Sequence, residues 1–170
     1  MFKNNKMLYV IGIIVPWILI GVAYFYFQKK LGLTPCPLCM FQRAALAGMS
    51  IVCLVAFFLN FRSGSGVVLY KVSSILVAVL AVVGISIAGR QVWLQNLPPE
   101  SVPSCGVDPV YQWLQSSDYG FMEMMATTLQ GSGDCSVAHW SFLGLSIAGW
   151  MLVIFSSIFL IALFSFLRSR

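Results

Sequence analysis

Leu8–Phe27, LYVIGIIVPWILIGVAYFYF, carries no charged side chain. A helix rises about 1.5 Å per residue, so about 20 apolar residues cover a hydrocarbon core roughly 30 Å thick. This stretch has the length and composition of a membrane span. Three more follow. Met40–Phe61 is apolar except for Gln42, Arg43 and Asn60, all near its ends. Val67–Ala88 holds one charge, Lys71, close enough to its start for the ammonium to snorkel to the interface. Phe142–Leu167 is the last. The whole chain agrees: 59% of residues are apolar and 9% are charged, against roughly 25% charged in a soluble domain. A water-soluble globule and a disordered chain are both excluded. The expected fold is an all-α membrane protein, residues 1–170 forming one integral domain. Its architecture is a four-helix transmembrane bundle with a long loop between the third and fourth helices.

Four spans put both termini on one side, and the first and third loops (28–39 and 89–141) on the other. Of ten basic residues, Lys3, Lys6, Arg62, Lys71, Arg168 and Arg170 flank the termini and the second loop, while Lys29, Lys30, Arg43 and Arg90 lie at the opposite span ends. That excess favours cytoplasmic termini. The five acids all fall in the third loop, and acids contribute little to orientation. The basic balance is therefore a topology signal. With no clustered Lys/Arg face, it does not indicate nucleic-acid binding. The first span has a basic leader, but its core is long for a signal peptide and it ends in bulky Tyr24–Phe27, so an uncleaved anchor helix is expected.

Arg62-Ser-Gly-Ser-Gly66 reads as a tight turn that makes spans two and three antiparallel neighbours. The third loop is far longer than a structureless connection usually is, which points to function. Pro98, Pro99, Pro103 and Pro109 break its first half. Val110–Leu129 has the spacing of a short amphipathic helix, either on the membrane surface or solvated. Ala44 and Gly48, and Gly84 and Ala88, offer small-residue faces for close helix approach.

The chemistry rests on cysteine. Cys36-Pro-Leu-Cys39 lies just before the second span, Cys105 and Cys135 lie in the third loop, and Cys53 lies inside the second span. Span parity puts the first four on one face. With cytoplasmic termini that face is the oxidising one, where disulfides persist. A C-x-x-C pair at a helix start has physical grounds for redox work. Unpaired N–H groups and the helix dipole favour a thiolate there, and a bridge across two residues is readily reduced. Two other readings stand beside it: a zinc site using all four cysteines, disfavoured because Cys105 and Cys135 form no closely spaced knuckle, and a purely structural bridge. If Cys105 and Cys135 are bridged, the ring of about 31 residues gains roughly 3–4 kcal/mol in the chain-entropy model. That suits a loop staple, yet the glycines around them suit a mobile, exchanging disulfide. Cys53 reads as a packed apolar residue.

Arg43 follows Cys39 by four residues and so shares its helix face, about one turn inside the boundary. It either snorkels to headgroups or stabilises negative charge at that depth, on a Cys39 thiolate or a reduced lipid quinone. His139 reads as a boundary residue. Trp93, Trp113, Trp140 and Trp150 read as interfacial anchors. No phosphate loop, paired-carboxylate constellation or Ser/His/Asp set is present.

With these residues in view, the sequence resembles the DsbB family, bacterial disulfide bond formation protein B. The resemblance rests on Pro35-Cys-Pro-Leu-Cys39 with Gln42-Arg43, on Gly89-Arg-Gln-Val-Trp-Leu-Gln95 leading to Pro103-Ser-Cys105, and on Gly131-Ser-Gly-Asp-Cys135 followed by Trp140-Ser-Phe-Leu-Gly-Leu145. It implies an inner-membrane thiol–disulfide oxidoreductase with cytoplasmic termini and periplasmic cysteine loops. Such a protein reoxidises a periplasmic thioredoxin-fold partner, DsbA-like, and passes the electrons to a quinone, ubiquinone or menaquinone, with no metal. It further implies that Cys105 forms the mixed disulfide with the partner and that Cys135 is its mate. Cys36 would exchange with that pair, and Cys39 would face the quinone with Arg43 in support. Two positions depart from the family pattern: Gln42 stands where an acidic residue is frequent, and Gln91 where histidine is frequent. Both bear on proton delivery and neither on the cysteines. Outside the resemblance, a zinc-stabilised four-span scaffold and a small transporter are the alternatives.

Overall fold

Hydrocarbon offers no partner to a backbone N–H or C=O, so an apolar run in lipid satisfies its own peptide groups by becoming a helix. The structure, a computed structural model, describes residues 2–32, 36–63, 66–97 and 140–168, and among these four helices are long and apolar enough to cross a membrane. Helix α1 spans Phe2–Val22 and continues as a π-helical segment, Ala23–Lys30. Helix α2 spans Pro37–Ser63 and α3 spans Gly66–Gln95. A two-stranded hairpin, β1 (Ser141–Phe142) and β2 (Leu145–Ser146), leads into α4 (Ile147–Arg168). The protein is an all-α four-helix membrane bundle. Helix α1 lies along α2, α2 along α3, and α3 along α4. The end of α1, the start of α2, the end of α3 and the start of α4 therefore gather at one end of the bundle.

Burial follows helical spacing. On α2 Leu38, Gln42, Ala45, Met49, Cys53 and Ala56 are enclosed in steps of three and four, with Leu46 and Ser50 beside the stripe. The outward faces stay apolar, with Val68, Val79, Phe58 and Phe164 exposed. That surface is the reverse of a soluble protein's and is suited to lipid contact. Lipid tails are as apolar as the side chains, so association must come from close packing. The tightest fit is between α3 and α4. Phe155 is fully enclosed, and a Cβ added to Gly84 would lie 2.5 Å from its ring. Ala81 and Ala88 line the same cluster. Of the small residues noted in the sequence, Gly48 faces Leu80, whereas Ala44 is exposed and serves no interface. Cys53 packs into a notch of α1, its sulfur 2.7 Å from where a Cβ on Gly12 would stand.

Polar groups inside the bundle are paired. The Tyr9 hydroxyl and Ser73 Oγ lie 2.9 Å apart and tie α1 to α3, and Ser50 donates to the Ile13 carbonyl at 3.2 Å. Ser74 donates to its own helix at the Tyr70 carbonyl, 2.8 Å away.

Two boundaries differ from the sequence reading. Helix α3 continues past Ala88 to Gln95, because Gln91 and Leu94 find burial beyond the apolar run. Helix α4 begins at Ile147, after the expected Phe142, because Leu143 (φ 52) and Gly144 (φ 78) both adopt left-handed backbone. Two such residues make the tight turn of a two-residue hairpin and cannot continue a helix. Ser146 then caps α4, its hydroxyl accepting the Gly149 N–H at 3.2 Å. The surface helix expected over Val110–Leu129 lies outside the described residues.

Gly84→Ala is expected to lower stability in detergent by about 1–3 kcal/mol, the usual cost of overpacking. Gly21→Ala, where nothing lies within 4 Å, should be neutral or slightly stabilising. Thermal unfolding of the two variants side by side checks this. Ser146→Ala should cost about 1 kcal/mol and loosen the first turn of α4, read as faster amide exchange there.

Candidate functional site

Cys36 and Cys39 occupy the start of α2. The Cys36 carbonyl accepts the Met40 N–H at 3.2 Å, so Cys36 is the N-cap, and Pro37 stands at the first helical position. Proline is favoured there because its missing N–H is one that a helix start leaves unpaired anyway. Cys39 falls in the first turn, at the positive end of the helix dipole. The spacing reading of the sequence is thus matched by local geometry. The two sulfurs lie 3.0 Å apart, Cys36 buried and Cys39 half-buried. Leu38, fully enclosed between them in sequence, anchors the turn against Ile87 and Leu94 of α3.

A pair of glutamines completes the surroundings. Gln91 of α3 is buried and points at the sulfurs: its Nε2 is 3.4 Å from Cys36 Sγ and 3.3 Å from Cys39 Sγ. Gln42, one turn after Cys39 and also buried, donates from Nε2 to Gln91 Oε1 at 2.8 Å. Buried amides left unpaired are costly, so the two satisfy each other and the sulfurs.

Arg43 is half-buried and reaches across to the π-helical end of α1. Its Nη1 donates to Gln28 Oε1 at 2.8 Å, and Nη2 lies 3.5 Å from the Ala23 carbonyl oxygen. The guanidinium is held by protein groups at the site's own depth. At the same end, Ser146 donates to Gln95 Oε1 at 2.6 Å, fastening the start of α4 to the end of α3. Trp140 stacks on Phe142 and meets Phe27 edge-on, Trp150 donates to the Phe142 carbonyl, and Arg90 lies over Trp93. Of the tryptophans expected as interfacial anchors, Trp93, Trp140 and Trp150 gather at this end of the bundle, while Trp113 is outside the described residues.

Of the expected site residues, the structure brings Cys36, Cys39 and Arg43 to one end of the bundle. Cys105, Cys135 and His139 lie outside the described residues. Among the described residues, no group of three His, Cys, Asp or Glu stands close enough to hold a metal ion. Sequence reasoning passed over Gln28, and tied Gln42 and Gln91 to proton delivery but not to the cysteines, whereas the structure sets Gln91 against both sulfurs. Gln42 has a signal, the three-residue step from Cys39. Gln91, on another helix, is marked only through the resemblance, and Gln28 has no signal.

A helix-terminal dithiol at one end of a four-span bundle, in a chain with two further cysteines between its third and fourth helices, defines a class of multi-pass membrane thiol proteins. A family model described as disulfide bond formation protein DsbB matches residues 5–165. A disulfide bond formation protein B of Marinobacter nauticus is 43% identical over 152 residues, covering 88% of this chain and 84% of the relative. One from Acinetobacter baylyi is 40% identical over 161 residues, covering 94% and 91%. Another from Acinetobacter baumannii is 36% identical over 158 residues, covering 92% and 89%. The chain belongs to the DsbB family of disulfide bond formation membrane proteins.

Exposure sets an order of thiol reactivity. In the reduced protein Cys39 should be alkylated before Cys36, with Cys53, wedged against Gly12, reacting only on unfolding. Peptide mapping after timed maleimide treatment reads the order.

Proposed function

We propose that this protein is a quinone-dependent protein-disulfide oxidoreductase of the bacterial inner membrane, which reoxidises a DsbA-like thioredoxin-fold dithiol protein in the periplasm. The observation that carries the reading is the Cys36–Cys39 pair at a helix N-terminus, its sulfurs 3.0 Å apart, at the bundle end from which the chain bearing Cys105 and Cys135 departs. The termini are cytoplasmic and this end is periplasmic, in keeping with the excess of basic residues at the other end.

The relay balances in three exchanges. A thiolate of the reduced partner attacks the Cys105–Cys135 disulfide and forms a mixed disulfide at Cys105, releasing Cys135 as thiolate. The partner's second thiol resolves it, leaving the partner oxidised and the loop pair reduced. The loop dithiol then reduces Cys36–Cys39, first through Cys36, by the same chemistry. Reforming the Cys36–Cys39 bond releases two electrons and two protons.

A lipid-soluble quinone, when bound, supplies a two-electron, two-proton sink. Cys39 and Arg43 would hold it, since they share a helix face at the membrane boundary. The donor set fits: Gln28 and the Ala23 carbonyl orient the guanidinium, and a fixed cation there suits an acceptor that gains negative charge. The first turn of α2 favours Cys39 as the thiolate, and Cys36 is the more enclosed of the two sulfurs.

Anaerobic mixing of purified protein with reduced partner and quinone, followed by quinone absorbance, tests the whole scheme. Stoichiometric reduction supports it; zinc bound one-to-one with no reduction overturns it. Arg43→Ala should slow quinone reduction roughly 10- to 100-fold while leaving the cysteine pairings able to form. Cys105→Ser should abolish the covalent adduct with a single-cysteine partner, and Cys53→Ser should leave it intact, as gel trapping will read.

A further inference from the structure

We propose that Gln91 is a positioning residue for the Cys36–Cys39 couple: its carboxamide, oriented by Gln42, presents an N–H donor to both sulfurs and stabilises the reduced form. The inference rests on the redox reading of that pair. Four contacts carry it. Gln91 Nε2 is within 3.4 Å of Cys36 Sγ and 3.3 Å of Cys39 Sγ, and the sulfurs are only 3.0 Å apart, so one nitrogen serves both. The 2.8 Å bond from Gln42 Nε2 to Gln91 Oε1 occupies the acceptor end of the amide and turns the donor end to sulfur. Both glutamines are buried, so no bulk water competes for either end. Gln91 Oε1 also lies 3.7 Å from Cys39 Sγ, a long contact that a thiol proton can use.

A donor beside sulfur acts differently on the two redox states. A thiolate carries a full charge and gains a charge-assisted hydrogen bond, whereas the neutral disulfide accepts only weakly. The donor therefore favours the reduced pair and makes the bridge the stronger oxidant. Among the described residues, the charged groups at this end of the bundle are Arg43 on α2, bonded to Gln28 and Ala23; Arg90 on α3, over Trp93; and Lys29 and Lys30 at the end of α1, over Tyr24 and Tyr26. They are cations, and none of the contacts just named for them is to sulfur. Gln91 adds direction, aimed at the atoms that change charge.

The experiment uses the full-length, quinone-free protein in detergent with Cys105 and Cys135 both changed to serine. The Cys36–Cys39 pair is equilibrated with dithiothreitol and scored by mass-tag alkylation. Gln91→Glu keeps the shape and the bond from Gln42 but replaces the donor with an acceptor. It should lower the equilibrium constant for reduction at least about tenfold, or about 30 mV. Gln91→Met, and Gln42→Met, which leaves the sulfurs' own neighbour in place, should shift it in the same direction by less. The gap from wild type should close as the pH falls and the sulfurs are protonated. Equal constants across the variants, a rise in Gln91→Glu, or a gap independent of pH would overturn the proposal. Because the measurement needs neither partner nor quinone, failure of quinone reduction by the unaltered protein counts against the proposed function alone.

Discussion

Lipid gives apolar helices no reason of its own to associate, so contact between surfaces and pairing of polar groups must do it. The seat of Phe155 on Gly84 is where this constraint is met most closely. With no side chain on Gly84, α3 and α4 approach until the ring touches backbone, and Ala81 and Ala88 extend the contact along the same cluster. Helix α3 is then the post on which the site is built. It carries Phe155's notch at mid-height, Gln91 beside the sulfurs and Gln95 against Ser146.

The site itself is an exercise in placing few polar atoms where none is cheap. A proline fixes the first turn of α2, a buried leucine pins it, and two glutamines close on each other and on the sulfurs. Arg43 brings the one cation that α2 contributes at this depth, and the π-helical end of α1 supplies the oxygens that hold it. Every helix except α4 contributes a residue to this arrangement, and α4 joins it through its capping serine.

Much of this was legible before any coordinates. Uncharged Leu8–Phe27 and the three runs after it specify four helices because backbone pairing in hydrocarbon admits few other solutions. The Cys-Pro-Leu-Cys step and the four-residue offset to Arg43 are local, and local geometry survives from sequence to structure. What was hidden depends on partners far along the chain. The Gln42–Gln91 bond joins residues 49 apart, and no periodicity announces it. Gln28 was invisible as a site residue because its role comes from a helix that ends beside Arg43. The hairpin before α4 was read as the opening of a span because Phe142-Leu-Gly-Leu145 is apolar. Its left-handed Leu143 replaces the Asn or Asp that usually marks such a turn.

Helix α1 touches its neighbours lightly: only 11% of its apolar window is enclosed, and polar ties hold it near both ends, Tyr9 to Ser73 and Gln28 to Arg43. It is synthesised ahead of α2 and α3, before any of those partners exists. A segment with so few enclosed side chains loses little by standing alone in lipid, so early insertion is not penalised. Its ties to Ser50, Cys53 and Arg43 need only α2, while the Tyr9–Ser73 bond needs α3, so α1 and α2 can pair before the rest of the bundle is made and α3 then locks the pair.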